Sequence, residues 1–244
     1  QWATAISSYA SLNGQQQGEH NYWAALQATI PTGNAALEAL AATENSHTAL
    51  SLNRQFTSHL LRDSSHVYNT QINDILLSAL GITLSKVTGR DRHHILLEGH
   101  GREELSPTLD ITRTIGWFTT MYPVELVTTA GDYAANIIAT KERLREIPAN
   151  GIGYGTLMGY NQETLPAISF NYLGQFDKNE TNAPDAWFIS HEDSGSSLAK
   201  ENKDLRLINI NGLVIDGQLQ FNISGCLRPT LMATLAATYQ QVLE

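Results

Sequence analysis

The sequence predicts an α/β domain in which helices pack on a mixed β-sheet, and three observations carry that prediction. Segments with apolar residues at helical spacing alternate with short apolar runs of strand length. An Asp216-Gly217 pair separates two such runs and is a hairpin signal, so at least one strand pair is antiparallel. The 244 residues are 42% hydrophobic, enough for a packed core, and hold no repeat, low-complexity tract or linker that would divide them.

The elements follow in order. Trp2, Ile6 and Tyr9 share one helical face, so the chain opens on a helix already under way, as expected for a fragment of something longer. A second helix is expected over Gly18–Ile30, with Tyr22, Trp23 and Leu26 on one side and Pro31 as its stop. Ala35–Ala42 is helix-prone, Thr48–Asn53 alternates like a strand, and Phe56–Leu61 returns to helical spacing. Over Tyr68–Thr88, Ile72, Ile75, Leu76, Ala79, Leu80 and Leu84 form an apolar stripe that ends before Gly89. His93–Gly99 is an apolar strand. Gly116–Val127 is another, and Pro123 places it at an edge or bulge. Gly131–Ile147 reads as a helix whose basic last turn (Lys141, Arg143, Arg145) suits its negative end. Pro148–Gly155 is a glycine-rich loop, and Leu165–Tyr172 and Trp187–His191 are strands. Leu205–Ile215 and Gln218–Ser224 flank the hairpin turn, and Pro229 opens a last helix with Leu231, Leu235, Tyr239 and Val242 on one face.

Charge and composition exclude several classes. Lys and Arg number 15 against 24 Asp and Glu, a net charge of −9 with no basic block, which argues against a nucleic-acid binder. No apolar run approaches the roughly 18 residues of a bilayer span. The single cysteine, Cys226, supports neither an internal disulfide nor a cysteine zinc cluster, and the cytosol is the expected compartment.

The densest run of chemistry-bearing residues is Arg92 to Glu103. Strand alternation puts His94, Leu96, Glu98 and His100 on one side. A metal site of His94, Glu98 and His100 is disfavoured, because four strand residues span about 13 Å. Two readings stay open. Glu98 is a general base at a strand end, where flanking glycines admit a substrate and partial burial would strengthen it. Alternatively, Glu98 and Arg102 form an ion pair that pins a turn. Gly151-Ile152-Gly153-Tyr154-Gly155 lacks the spacing, the preceding strand and the Lys-Ser/Thr of a nucleotide loop, and reads as a turn beside a site.

Five segments occur together and in order: Asn73 to Gly81, Glu98-Gly99-His100-Gly101-Arg102-Glu103, Arg113 to Leu126, Pro148 to Gly155, and Phe170 to Asp177. Together they resemble the signature motifs of the epimerization domains of nonribosomal peptide synthetases, over most of Trp2–Glu244. Family members have two lobes, both chloramphenicol-acetyltransferase-like, and the first carries an HHxxxDG motif. His93-His94-Ile95-Leu96-Leu97-Glu98-Gly99 imitates that motif with Glu for Asp and is read as a decoy. Residues 1–244 therefore resemble the C-terminal lobe alone.

The resemblance implies a cofactor-independent epimerase acting on an aminoacyl or peptidyl thioester on the phosphopantetheine arm of a carrier protein. Glu98 would transfer the proton, opposite a histidine of the absent N-terminal lobe. Tyr172 would orient a group or donate a proton, Asn171 would hydrogen-bond the thioester, and Arg102 would hold the turn of Glu98. His100, Gly116 and Trp117 would line the substrate channel, with Trp117 read mainly as packing. Alternation warns that Asn171 and Tyr172 face opposite ways unless the strand ends there. The implied partners are the N-terminal lobe, an upstream peptidyl carrier protein and a downstream condensation domain; Lys141, Arg143 and Arg145 read either as a basic docking patch for an acidic carrier or, in preference, as a solvated helix end. No metal, nucleic acid or membrane is implied. Two alternatives remain: a condensation-type domain that makes peptide bonds, and a non-catalytic docking lobe.

Overall fold

The computed structural model describes residues 1–11, 17–63, 69–106, 108–176, 192, 195 and 206–244. Six strands form one sheet in the order β1-β6-β5-β4-β2-β3. They are β1 (Ala41–Ser51), β2 (Arg92–Gly99), β3 (Thr120–Val127), β4 (Ile168–Gln175), β5 (Ile208–Ile215) and β6 (Gln218–Leu227). β4 runs parallel to β2 and β5, and the other neighbours are antiparallel, so the sheet is mixed as expected. The helices are α1 (Trp2–Ser11), α2 (Gln17–Gln27), α3 (Ile30–Glu38), α4 (Arg54–Ser58), α5 (Ile72–Thr88), α6 (Tyr133–Arg145), α7 (Tyr154–Met158) and α8 (Pro229–Leu243).

One face of the sheet carries the core. α5 and α8 pack on it, and the Tyr239 hydroxyl donates to the Leu76 carbonyl at 3.0 Å between them. Ile95, Leu97, Ile168, Phe170, Ile210 and Phe221 fill the layer beneath. α5 starts where the Asp74 carboxylate accepts the Gln71 N–H at 2.8 Å and ends at Gly89, whose φ of 72° suits a glycine. It is buried on every side from Asp74 to Leu84, not along one stripe, because the sheet, α6 and α8 surround it. In α8 the buried stripe is Met232, Leu235, Ala236, Tyr239 and Leu243. Leu231 and Val242, expected on that stripe, lie beside it.

The opposite face is treated unevenly. At β2 it is covered by the α2–α3 corner, where Thr29 and Gly33 meet His94. Over β4, β5 and β6 it turns polar, and Asn211 and Asn222 are exposed there. Strand alternation produces both faces from one sequence: in β5, Ile208, Ile210 and Val214 point to the core while Asn209 and Asn211 point away.

Several boundaries differ from the sequence reading, each for a local reason. Pro31 opens α3 in its first turn, where a missing N–H leaves no bond unmade; it does not end a longer α2. Ala41 and Ala42 belong to β1, drawn into extended form by pairing with β6 across a register shift. Residues 116–119 are not strand, because β2 ends at Gly99, opposite Thr120, and offers them no ladder. Pro123 does sit on an edge strand. Residues 148–158 form a 3-10 turn and the short α7 instead of an open loop. The hairpin turn is as expected: Asp216 and Gly217 both take positive φ, 51° and 73°. Trp187–His191 lies outside the described residues.

Candidate functional site

Glu98 is the penultimate residue of β2 and lies beside Asn171, because the parallel register pairs Leu97 with Phe170 and carries both strands one residue further. The Asn171 side-chain amide donates to the Glu98 carboxylate at 3.2 Å. Glu98 is exposed, not partly buried, and among the described residues it forms no ion pair. The alternative reading, a Glu98–Arg102 ion pair, is therefore not the arrangement found. The Arg102 guanidinium instead reaches across the turn and donates to the carbonyls of Ile111 at 2.7 Å and Thr114 at 3.0 Å. It also lies 4.2 Å from the centroid of the Phe118 ring. Its role is to hold the 111–118 loop against the end of β2. Gly101, with φ 65°, makes this possible: a Cβ there would run into the Phe118 carbonyl.

His100 is part of the same clamp. Its Nδ1 accepts the Arg102 backbone N–H at 2.9 Å, which leaves the ring proton on Nε2. Nε2 then faces the Glu103 carboxylate at 3.3 Å, and the other oxygen of Glu103 accepts from Asn150 at 3.0 Å. With both ring nitrogens engaged, His100 ties the Glu98–Glu103 turn to residues 148–151 and is not a free channel base. Asn150 and Ala149 adopt φ of 50° and 43°, the left-handed backbone of that tight turn.

Tyr172 is placed apart from Glu98. It follows Asn171 on β4, so its ring packs on the core side of the sheet and its hydroxyl is shielded from solvent. The structure thus brings Glu98 and Asn171 together and leaves Tyr172 on the other face, as alternation requires. Trp117 does not pack: it is 91% exposed, beside Ile115 at 100% and exposed Gly116. Holding the loop at Ile111, Thr114 and Phe118 leaves 115–117 projecting as its tip.

The paired histidines are structural. Thr88 and Thr29 each give their hydroxyl proton to a carbonyl, of Leu84 and Leu26, so His93 Nε2 and His94 Nε2, each 2.9 Å away, are the donors. Both Nδ1 atoms are buried without a partner. Burial accordingly lowers the pKa of His93 to about 4, and burial also lowers that of His94, against the opposing charge of Glu125. Neither histidine is free to act at Glu98. Among the described residues no group of three His, Cys, Asp or Glu could hold a metal ion, and no helix is long and apolar enough to cross a membrane.

The glycine-rich segment is explained by close packing. A Cβ at Gly151 would strike the Tyr122 ring, one at Gly153 the Glu19 carboxylate, and one at Gly155 the Tyr160 hydroxyl. Glu19, buried, accepts from Tyr9 at 2.5 Å and from the Trp23 indole at 3.0 Å. No single-sequence signal marks Glu19, Tyr122 or Tyr160 as those neighbours. Glu103 and Asn150, which complete the clamp, stand inside two of the conspicuous motifs, but the sequence reading gave neither a role. The basic docking patch is not retained as a bare cationic surface: Arg143 pairs with Glu125, and Lys141 and Arg145 with Glu142.

The fold is a mixed six-stranded sheet with helices packed on it, and it sets a carboxylate near the end of β2 beside an amide in the middle of β4. The condensation-domain family profile matches residues 1–224, and the chain belongs to that family. It is 38% identical over 235 residues to surfactin synthase subunit 2 of Bacillus subtilis (strain 168), covering 91% of this chain and 6% of that protein. It is 42% identical over 188 residues to bacitracin synthase 3 of Bacillus licheniformis, covering 72% of this chain and 3% of that protein. The epimerization domain from the third module of tyrocidine synthetase B superposes with a TM-score of 0.77 at 30% identity, over 99% of this chain and 57% of that one. The first condensation domain of the calcium-dependent antibiotic synthetase shares the fold, with a TM-score of 0.63 at 13% identity over 97% of this chain and 52% of that one. The chain therefore spans about half the length of these solved domains and a small part of the synthetases it matches.

Proposed function

We propose that residues 1–244 form the C-terminal lobe of an epimerization domain, which inverts the α-carbon, L to D, of an aminoacyl or peptidyl thioester. The substrate would ride on the phosphopantetheine arm of an upstream carrier protein, and the product would pass to a downstream condensation domain. The observation that carries this reading is the exposed Glu98 carboxylate, hydrogen-bonded by Asn171 and free of any cation among the described residues. Such a carboxylate is available to take a proton. The likeness to a solved epimerization domain supports the same reading.

The chemistry follows from the substrate class. A thioester acidifies its α-hydrogen; a base removes it, an enolate forms, and an acid returns a proton to the opposite face. Two groups on opposite sides of a planar carbon are needed. Glu98 is one, oriented by the Asn171 amide, and an N-terminal lobe would supply the other and close over the site. Arg102, His100 and Glu103 act through position, fixing the turn that follows Glu98. Tyr172 supports this strand end from the core side. On this reading residues 1–244 alone are inactive. No cofactor of the lobe itself enters the scheme.

The competing reading, a condensation-type domain that forms peptide bonds, is compatible with the same family profile. Incubating the full-length protein with an L-aminoacyl or L-peptidyl carrier in D₂O separates the two. Deuterium at the α-carbon is expected, and Glu98→Gln, which keeps an acceptor for Asn171, lowers its incorporation about 10²–10⁴-fold. Peptide transfer without deuterium would replace the epimerase reading. Wild-type exchange by the variant would remove Glu98 from the chemistry.

A further inference from the structure

The open face of the sheet continues the site. Register places Asn171 on β4 beside Asn211 on β5, and Asn211 opposite Asn222 on β6. Glu98, Asn171, Asn211 and Asn222 thus form one row across four neighbouring strands, all pointing away from the core. The row behind it is engaged internally, where Ser169 donates to Asn209 at 2.6 Å. In the front row Asn171 is engaged with Glu98, but among the described residues no side-chain hydrogen bond engages Asn211 or Asn222, and both are exposed. Beyond Asn222 the row ends on β1 at Ala49, exposed and too small to obstruct it.

Each asparagine offers two N–H donors and a carbonyl acceptor, the groups a peptide main chain needs. At about 4.8 Å per strand the row from Asn171 to Asn222 spans roughly 10 Å, and an extended peptide rises about 3.4 Å per residue. Counted from Glu98, one strand further, Asn211 lies about 10 Å and Asn222 about 14 Å away, matching about the third and fourth residues upstream of one held at Glu98. A single aminoacyl group at Glu98 is too short to reach Asn211.

Resting on the epimerase reading for its starting point, we propose that Asn211 and Asn222 bind the main chain of a peptidyl substrate upstream of the residue at Glu98, so that this domain prefers peptidyl over single-aminoacyl thioesters. The row is continuous with the Glu98–Asn171 pair, and its amides are uncharged, which suits a neutral peptide chain better than an ionic surface.

The test is a binding measurement on the full-length protein, with carrier protein bearing amide-linked pentapeptidyl or aminoacyl pantetheine in place of the thioester. The wild type is expected to bind the pentapeptidyl form more tightly. Asn211→Ala and Asn222→Ala each weaken that binding about 3- to 10-fold, the loss of one neutral hydrogen bond, and change aminoacyl binding less than about twofold. The aminoacyl measurement also reports correct folding of the variants. Equal wild-type affinity for the two forms, or variants that weaken both alike or neither, overturns the proposal; the last is the outcome if another lobe covers this face. Exchange in D₂O keeps the two readings separate. A pentapeptide preference without α-deuterium retires the epimerase reading alone, and exchange without a preference retires this inference alone.

Discussion

His93, near the start of β2 and next to the edge strand β3, gives the fold a measurable acid sensitivity. Its Nε2–H is committed to Thr88, its Nδ1 is buried without a partner, and the side chain is sealed between β2 and α5, so protonation creates a cation with neither solvent nor acceptor. The folded pKa of about 4 lies below the ordinary 6.5. Between those values the unfolded chain holds the extra proton. Stability is therefore fully present above pH 6.5 and is lost as pH falls toward 4. At 1.36 kcal/mol per pH unit, the displacement from 6.5 to about 4 corresponds to about 3 kcal/mol, a substantial share of the usual 5–15 kcal/mol of a domain. His93→Gln keeps a donor for Thr88 and removes the titration. Urea unfolding followed by circular dichroism at pH 4 and pH 7 gives the difference directly. The variant should lose about 3 kcal/mol less than the wild type over that interval. Equal losses would refute the assignment of His93 as a buried neutral donor.

Two further outcomes test the architecture around Glu98. Arg102→Lys keeps the charge but loses the planar fork to Ile111 and Thr114 and the stacking on Phe118, so tryptic cleavage after exposed Arg113 should accelerate about 3- to 10-fold; an unchanged rate would show that the loop is held elsewhere. Trp117→Ser should leave unfolding stability within about 0.5 kcal/mol, because the indole is 91% exposed, and a larger loss would restore the packing role expected from its sequence context.

Legibility differed between parts of the molecule according to what produced each feature. The Asp216-Gly217 turn, the α5 segment, the β2 strand and the edge position of Pro123 follow from short-range rules of φ, ladder donors and periodicity, and all are present. Boundaries failed where a partner strand decided them. β1 gains Ala41 from its neighbour β6, whereas residues 116–119 have no neighbour to gain from. Glu98 was singled out from its glycine-flanked strand end, and Asn171 from its motif. Their hydrogen bond depends on the parallel register of β2 and β4, which joins residues 73 positions apart.

Local sequence, through backbone sterics and apolar spacing, was enough to specify a mixed α/β lobe, a hairpin and a carboxylate at a strand end. The partners of those groups came only with the packed chain. Arg102 turned from Glu98 to the carbonyls of a distant loop, Tyr172 went to the core side of its strand, and His93 and His94 were bound by threonines on opposite sides of the sheet. Side-chain direction alternates by a fixed rule, but which groups stand opposite is settled by strand order and helix placement, and those arise from long-range packing that no single segment encodes.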